Sequence, residues 1–256
     1  MKHFLCIFLL AMVALAGAQV MGGPVDYKSG NTMCQGYLAI DTMKTGKRPG
    51  ILIIHDWNSI DDYEMSRATQ LAKMGYVAMV ADIYGKGVRP ANAEESGKWA
   101  SKFKSNRMLF RDRLRDALET LEKDPNVDSK KIVAIGYCFG GTGVLELARM
   151  GAELKGVVSF HGGLDAASGL EAGPVIPRVL ICHGADDPFV PASQVMDFKS
   201  EFKSAKMEFV SYPGAVHSFT NPTAGTDKAS GAAYNKAADE ASWQKLKVFL
   251  TEVFKG

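Results

Sequence analysis

Short apolar, β-branched runs recur along the chain: Tyr37–Ile40, Ile51–His55, Val77–Ala81, Ile132–Ile135, Val157–Phe160, Val179–Cys182 and Phe209–Tyr212. Several are continuous rather than alternating, the pattern of strands buried on both faces. Between them the period changes. In Arg107–Lys123, Phe110, Leu114, Ala117, Leu118 and Leu121 fall on one face of a 3.6-residue repeat. Trp243, Leu246, Phe249, Leu250 and Val253 do the same near the C-terminus. Strands alternating with helices predict an α/β fold: a mostly parallel central sheet with helices on both faces. Such sheets bind ligands beyond the C-terminal ends of their strands.

No composition shift or linker splits the chain. Val88–Glu95 and Gly163–Pro177 read as short loops. Phe219–Asn235 is longer, rich in Gly, Ala, Thr, Asp and Pro, and is a candidate lid. Met1–Ala18 reads as a cleaved signal peptide: Lys2 gives a positive start, Phe4–Leu15 is an uncharged apolar run, and Ala16-Gly17-Ala18 is a small-x-small cleavage site. The run is shorter than the ~20 apolar residues of a membrane-spanning helix. The expected product is a single domain over residues 19–256, exported to the periplasm or the medium, with no membrane attachment after cleavage.

Charge narrows the function classes. Lys+Arg 30 against Asp+Glu 28 leaves +2 over 256 residues, without the basic excess of a nucleic-acid footprint. Cys6 leaves with the signal, so Cys34, Cys138 and Cys182 remain, an odd number with no C-x-x-C. Neither a zinc ribbon nor a thioredoxin site is indicated. Cys34 and Cys182 are expected to be small core residues. His55, His161 and His183 follow strands, but no H-x-H or H-E-x-x-H spacing accompanies them, so packing and backbone hydrogen bonding are expected of them and no metal.

Cys138 stands apart. The strand ending at Ile135 runs into Gly136-Tyr137-Cys138-Phe139-Gly140-Gly141, and the helical stretch Gly143–Met150 follows. G-x-C-x-G between a strand and a helix is the nucleophile-elbow pattern with sulfur in place of oxygen. The glycines clear side chains from the turn. The Phe139 N–H sits at the helix start, where unpaired donors and the helix dipole favour an oxyanion. A nucleophile of this kind needs a base and an orienting acid, in the chain order nucleophile, acid, histidine. After the strand ending at Cys182 come Asp186 and Asp187. After the strand ending at Tyr212 comes His217. All follow strands, hence lie at one edge of a parallel sheet.

These motifs resemble the dienelactone hydrolase family of the α/β-hydrolase superfamily, from about Gln35 to the C-terminus. The resemblance rests on G-Y-C-F-G-G at Gly136–Gly141, G-A-D-D-P-F-V-P at Gly184–Pro191 and H-S-F at His217–Phe219. Ala81-Asp82-Ile83-Tyr84-Gly85 and Ser159-Phe160-His161-Gly162-Gly163 add to it. It implies the α/β-hydrolase fold and a carboxymethylenebutenolidase-like hydrolase of esters or lactones that needs no cofactor. It further implies Cys138 as nucleophile, His217 as base, Asp187 rather than Asp186 as acid, and an acyl-thioester intermediate. Asp56 stands where the family carries a glutamate that contacts the resting thiol, and the Trp57 N–H would be the second oxyanion donor. Lys86 and Asn221 stand where dienelactone-specific members carry carboxylate-binding arginines, departures that weigh against an anionic dienelactone. Trp57, Tyr84 and Phe219 are candidate lining residues, and Lys86 and Tyr84 candidate substrate contacts. Two other classes compete: an exported small-molecule binding protein with little turnover, and a thiol-redox protein using Cys138. The intact triad pattern argues against the first and the lack of a neighbouring resolving cysteine against the second.

Overall fold

In strand β3 (Arg48–Ile54), Leu52 and Ile54 enter one apolar layer while Ile51 and Ile53 enter the other. Successive side chains of a strand point to opposite faces, so continuous apolar runs build two cores at once. β4 (Val77–Ala81), β5 (Val127–Tyr137), β6 (Gly156–Phe160), β7 (Arg178–Gly184) and β8 (Met207–Tyr212) lie parallel to β3. A hairpin of β1 (Val20–Ser29) and β2 (Thr32–Asp41) completes eight strands in the order β1-β2-β4-β3-β5-β6-β7-β8, with β2 antiparallel to β4. The computed structural model describes residues 19–170 and 173–255. The signal segment Met1–Ala18 lies outside them.

Helices α2 (Ala93–Ser105), α3 (Arg107–Glu122), α4 (Phe139–Arg149) and α5 (Ala192–Glu201) cover one face of the sheet, while α1 (Asp62–Lys73) and α6 (Lys236–Lys255) cover the other. The helical period read in Arg107–Lys123 buries Phe110, Leu114, Ala117, Leu118 and Leu121, as expected. The loop expected over Val88–Glu95 is cut short by α2, whose first turn is capped by the Asn92 side chain. Gly97 and the charged residues of that helix mask its apolar stripe in the sequence.

α4 carries the elbow and is held by charge as well as packing. Glu146 is fully buried and meets Arg111 Nε at 2.8 Å and Arg149 Nη1 at 3.0 Å. Arg149 continues to both carboxylate oxygens of Glu201 on α5. Pairing of this kind offsets the cost of burying a charged carboxylate. Among the described residues no helix is long and apolar enough to cross a membrane.

Candidate active site

The chain turns from β5 into α4 within one residue, and that residue is Cys138. Its backbone has φ +53° and ψ −111°, outside the regions open to most side chains, and strain of this kind is held only where the surroundings enforce it. A Cβ on Gly136 would lie 2.0 Å from the Gly140 carbonyl oxygen, and one on Gly140 would lie 2.1 Å from that of Ile54. The two glycines therefore let α4 start directly against the ends of β3 and β5. The Phe139 ring stacks on Phe110 at 4.5 Å and packs against Tyr84 and Phe103, which fixes the first turn of α4. As the first helical residue, Phe139 has an N–H without an acceptor inside the helix.

Two loops bring their side chains to this sulfur in series. His217, beyond β8, places Nε2 3.0 Å from Cys138 Sγ. Its Nδ1 lies 2.8 Å from Asp187 Oδ2, beyond β7. The Phe189 N–H holds Asp187 Oδ1 at 2.9 Å. Asp186 is exposed, and its N–H donates to the Ala215 carbonyl. Burial opposes a charged ring at His217. The Cys138 sulfur and the Asp187 carboxylate outweigh it and carry the pKa up to about 10. Phe189 presents its ring edge-on to His217 at 5.4 Å and is 58% exposed.

The turn after β3 forms the facing wall. Tyr84 OH donates to the Trp57 carbonyl at 3.0 Å, which fixes the peptide between Trp57 and Asn58. Glu64, fully buried on α1, accepts the N–H groups of Asp56 and Asp61. Asp61 in turn caps α1 through the Tyr63 N–H, so one capping box secures both the helix and this wall. His55 donates from Nδ1 to the Asp56 carbonyl and accepts the Ile83 N–H at Nε2.

Several expectations need correcting. Among the described residues no hydrogen bond joins Asp56 to the sulfur. The Asp56 carboxylate accepts the Asn58 N–H at 2.7 Å, while the thiol faces His217. Aspartate is short enough to close a turn on the residue two positions on. Lys86 is no free substrate contact, since its ammonium pairs with Asp26 on β1 at 2.8 Å. Tyr84 is 3% exposed and its hydroxyl is spent on Trp57. Phe219 lines no open pocket and is buried in the core beside Tyr212 and His161. The lid segment folds into two 3-10 turns, Pro222–Ala224 and Lys228–Ser230. It is stitched to His217, whose N–H donates to Gly231 O and whose carbonyl accepts from Ala233 N–H. It braces the histidine. Among the described residues no group of three or more His, Cys, Asp or Glu side chains is arranged to hold a metal ion.

Burial pushes the Asp56 carboxyl up to about 6 from 3.8. The fold thus holds this proton more tightly than the unfolded chain does. The charged form is penalised above pH 6, and the penalty is relieved as pH falls from 6 towards 4. Asp56→Asn is expected to gain stability over wild type at pH 7.5, with the gap narrowing by up to about 3 kcal/mol at pH 4. Urea midpoints at both pH values measure this. A gap independent of pH would count against a buried, titrating Asp56.

Residues 34–254 match the family model described as the dienelactone hydrolase family. A solved structure of a dienelactone hydrolase-like promiscuous phosphotriesterase from metagenomic libraries superposes with a TM-score of 0.86 at 37% identity, covering 93% of this chain and 99% of that one. An uncharacterised protein of Caenorhabditis elegans is 34% identical over 56% of this chain and 92% of its own length. A Bradyrhizobium protein named a probable 2-oxo-3-(5-oxofuran-2-ylidene)propanoate lactonase is 26% identical over 80% of this chain and 84% of its own. The eight-stranded, mostly parallel sheet is the α/β-hydrolase fold of these structural relatives.

Proposed function

The chain belongs to the dienelactone hydrolase family, and from that membership we propose that it hydrolyses small carboxylic esters and lactones with Cys138 as nucleophile, His217 as base and Asp187 as orienting acid. One observation carries the reading: an unbroken hydrogen-bonded line from Sγ through both imidazole nitrogens to a buried carboxylate, with spans of 3.0 and 2.8 Å. Both lie within the reach required of a nucleophile, its base and the group that orients the base.

The chemistry follows from those positions. His217 holds the proton of the Cys138–His217 pair at Nε2 as sulfur attacks the carbonyl carbon, and Asp187 stabilises that imidazolium. The carbonyl oxygen gathers negative charge against the N–H groups of Phe139 and Trp57. Collapse breaks the bond to the leaving oxygen, which receives the proton from His217, and leaves an acyl-thioester on Cys138. His217 then draws a proton from water as the water oxygen attacks the thioester. Release of the carboxylic acid frees the sulfur and leaves the proton on the Cys138–His217 pair, as at the start. In a lactone both products are parts of one molecule, so the alcohol stays tethered until the thioester is cleaved. The proposal includes export, with Met1–Ala18 as the signal and residues 19–256 as the mature enzyme.

The test is to catch the intermediate. Mature protein is mixed with activated aryl esters, small lactones and a phosphotriester, quenched in acid within a turnover, and digested for mass spectrometry. The expected result is the acyl mass on the peptide containing Cys138. Steady hydrolysis with no adduct, or an adduct on another residue, would remove Cys138 from the mechanism. The phosphotriester is included because of the metagenomic relative. A phosphoryl mass on the same peptide would extend the reaction to that class.

A further inference from the structure

A second histidine touches the nucleophile from behind. His161, at the end of β6, is 2% exposed, and its Nδ1 lies 3.2 Å from the backbone nitrogen of Cys138. Its Nε2 lies 2.7 Å from Thr220 Oγ1, which lies 2.6 Å from Tyr63 OH. The Cys138 N–H determines the direction of both bonds at the ring. An amide N–H can only donate, so Nδ1 is the unprotonated acceptor. The neutral ring then carries its proton on Nε2 and donates it to Thr220, whose oxygen also shares a hydrogen bond with the Tyr63 hydroxyl.

Two further observations show that this ring is held there at a cost. The His161 backbone has φ +40°, a conformation that costs a non-glycine residue of order 1–3 kcal/mol. The ring also packs edge-on against His217 at 5.4 Å, two imidazoles side by side in a buried wall. Burial first, and then the neighbouring His217, hold the His161 pKa well below the usual histidine value. Only one of the two rings takes the proton of the reaction.

We propose that His161 is a positioning residue of this hydrolase: its Nδ1 clamps the Cys138 N–H, and its Nε2–H, anchored on Thr220, fixes which nitrogen does so. The Cys138 N–H is shared with the Phe160 carbonyl at 3.0 Å, so the imidazole adds a second hold. That hold sets where the strained elbow points its sulfur relative to His217 Nε2. The signal was present in the sequence as S-F-H-G-G, where spacing alone gave His161 no partner. The inference rests on Cys138 being the nucleophile.

The test separates the two nitrogens. Asparagine presents an acceptor near the position of Nδ1, glutamine presents its amide near Nε2, and phenylalanine keeps the ring without either. With an ester substrate, His161→Phe is expected to lower kcat by roughly 10- to 100-fold with KM changed by less than about threefold, the signature of a misplaced group that still binds substrate. His161→Asn is expected to recover most of the kcat, and His161→Gln to stay near the Phe variant. Alkylation of Cys138 by iodoacetamide should follow the same ranking, and melting temperatures check that all three variants are folded. Nitrogen-15 NMR of the resting wild type should find His161 Nδ1 bare and Nε2 protonated at pH 7. A protonated Nδ1, or equal behaviour of Asn and Gln, would overturn the proposal. If wild type forms no adduct on Cys138 in the trapping experiment, the nucleophile assignment fails by itself, while NMR still decides the His161 bond.

Discussion

Cys138→Ala is expected to lower ester hydrolysis by about 10,000-fold or more, since removing one member of a nucleophile–base pair disables the pair as a unit. In the proposed mechanism Sγ is the atom that forms and breaks the bond to the acyl carbon, and alanine offers no substitute. What remains is the binding surface and the two backbone donors, which stabilise an oxyanion but cannot create one without an attacking atom. The fold should survive. The Cys138 side chain is partly exposed and its hydrogen bond is to His217 alone, while the strained φ of +53° is imposed by the turn whatever side chain stands there. The variant also has a diagnostic beyond its rate. With the sulfur gone, one of the two groups that hold the His217 pKa near 10 is gone, so the ring should titrate at lower pH in an NMR titration. Hydrolysis at the wild-type rate would mean that another residue attacks the substrate.

Gly140→Ala is expected to have the largest effect on stability, about 4 kcal/mol or more, the range reserved for substitutions with no room to relax. The new methyl would sit 2.1 Å from the Ile54 carbonyl oxygen and 2.6 Å from that of His55. Both are backbone atoms at the end of β3, which is paired on both edges, to β4 and to β5. They cannot swing aside as a side chain would. Either α4 is displaced, carrying Phe139 and the sulfur with it, or the chain fails to fold. Gly97→Ala is the matched control. A Cβ there meets nothing within 4 Å, in the interior of α2, and alanine should gain about 0.5–1 kcal/mol through helix propensity. Denaturant midpoints of the two variants should move in opposite directions. A Gly140→Ala protein as stable as wild type would show that the elbow does not depend on that close approach.

The sheet was legible because its strands are buried on both faces and their apolar runs are unbroken. β1 was missed for the converse reason. Val20–Ser29 contains Gly22-Gly23-Pro24, lies at the edge of the sheet, and leaves much of its surface in water. Proline is tolerated on an edge strand because its missing N–H is not needed for pairing there, and the result reads as a loop. α1 is short and buries Glu64 and Arg67, which disguises its inner face. Cys138, Asp187 and His217 could be read because each follows a strong strand and each is chemically distinctive. The supports around them could not. Which hydroxyl holds the Trp57 carbonyl, which imidazole takes the Cys138 N–H, and why Asp56 turns to Asn58 are contacts between residues far apart in the chain, or choices made by one methylene. Lys86 illustrates the limit: its position suggested a substrate contact, and its partner Asp26 lies on a strand that was not foreseen.

The positions of the three described cysteines bear on how the protein would age in an oxidising medium. Cys34 on β2 and Cys182 on β7 are fully buried, and burial pushes their thiols up to about 11 and about 12. They face opposite layers of the core and stand five strand steps apart, which at ~4.8 Å per step is ~24 Å. A disulfide spans less than about 7 Å between Cα atoms, so the folded chain cannot cross-link these two to itself. Among the described cysteines a passing disulfide therefore finds one thiol within reach, and it is the proposed nucleophile. Wear on that thiol would be all-or-none for the proposed reaction: each hit silences one molecule while leaving its architecture intact, and the surviving activity counts the molecules whose Cys138 is not yet hit.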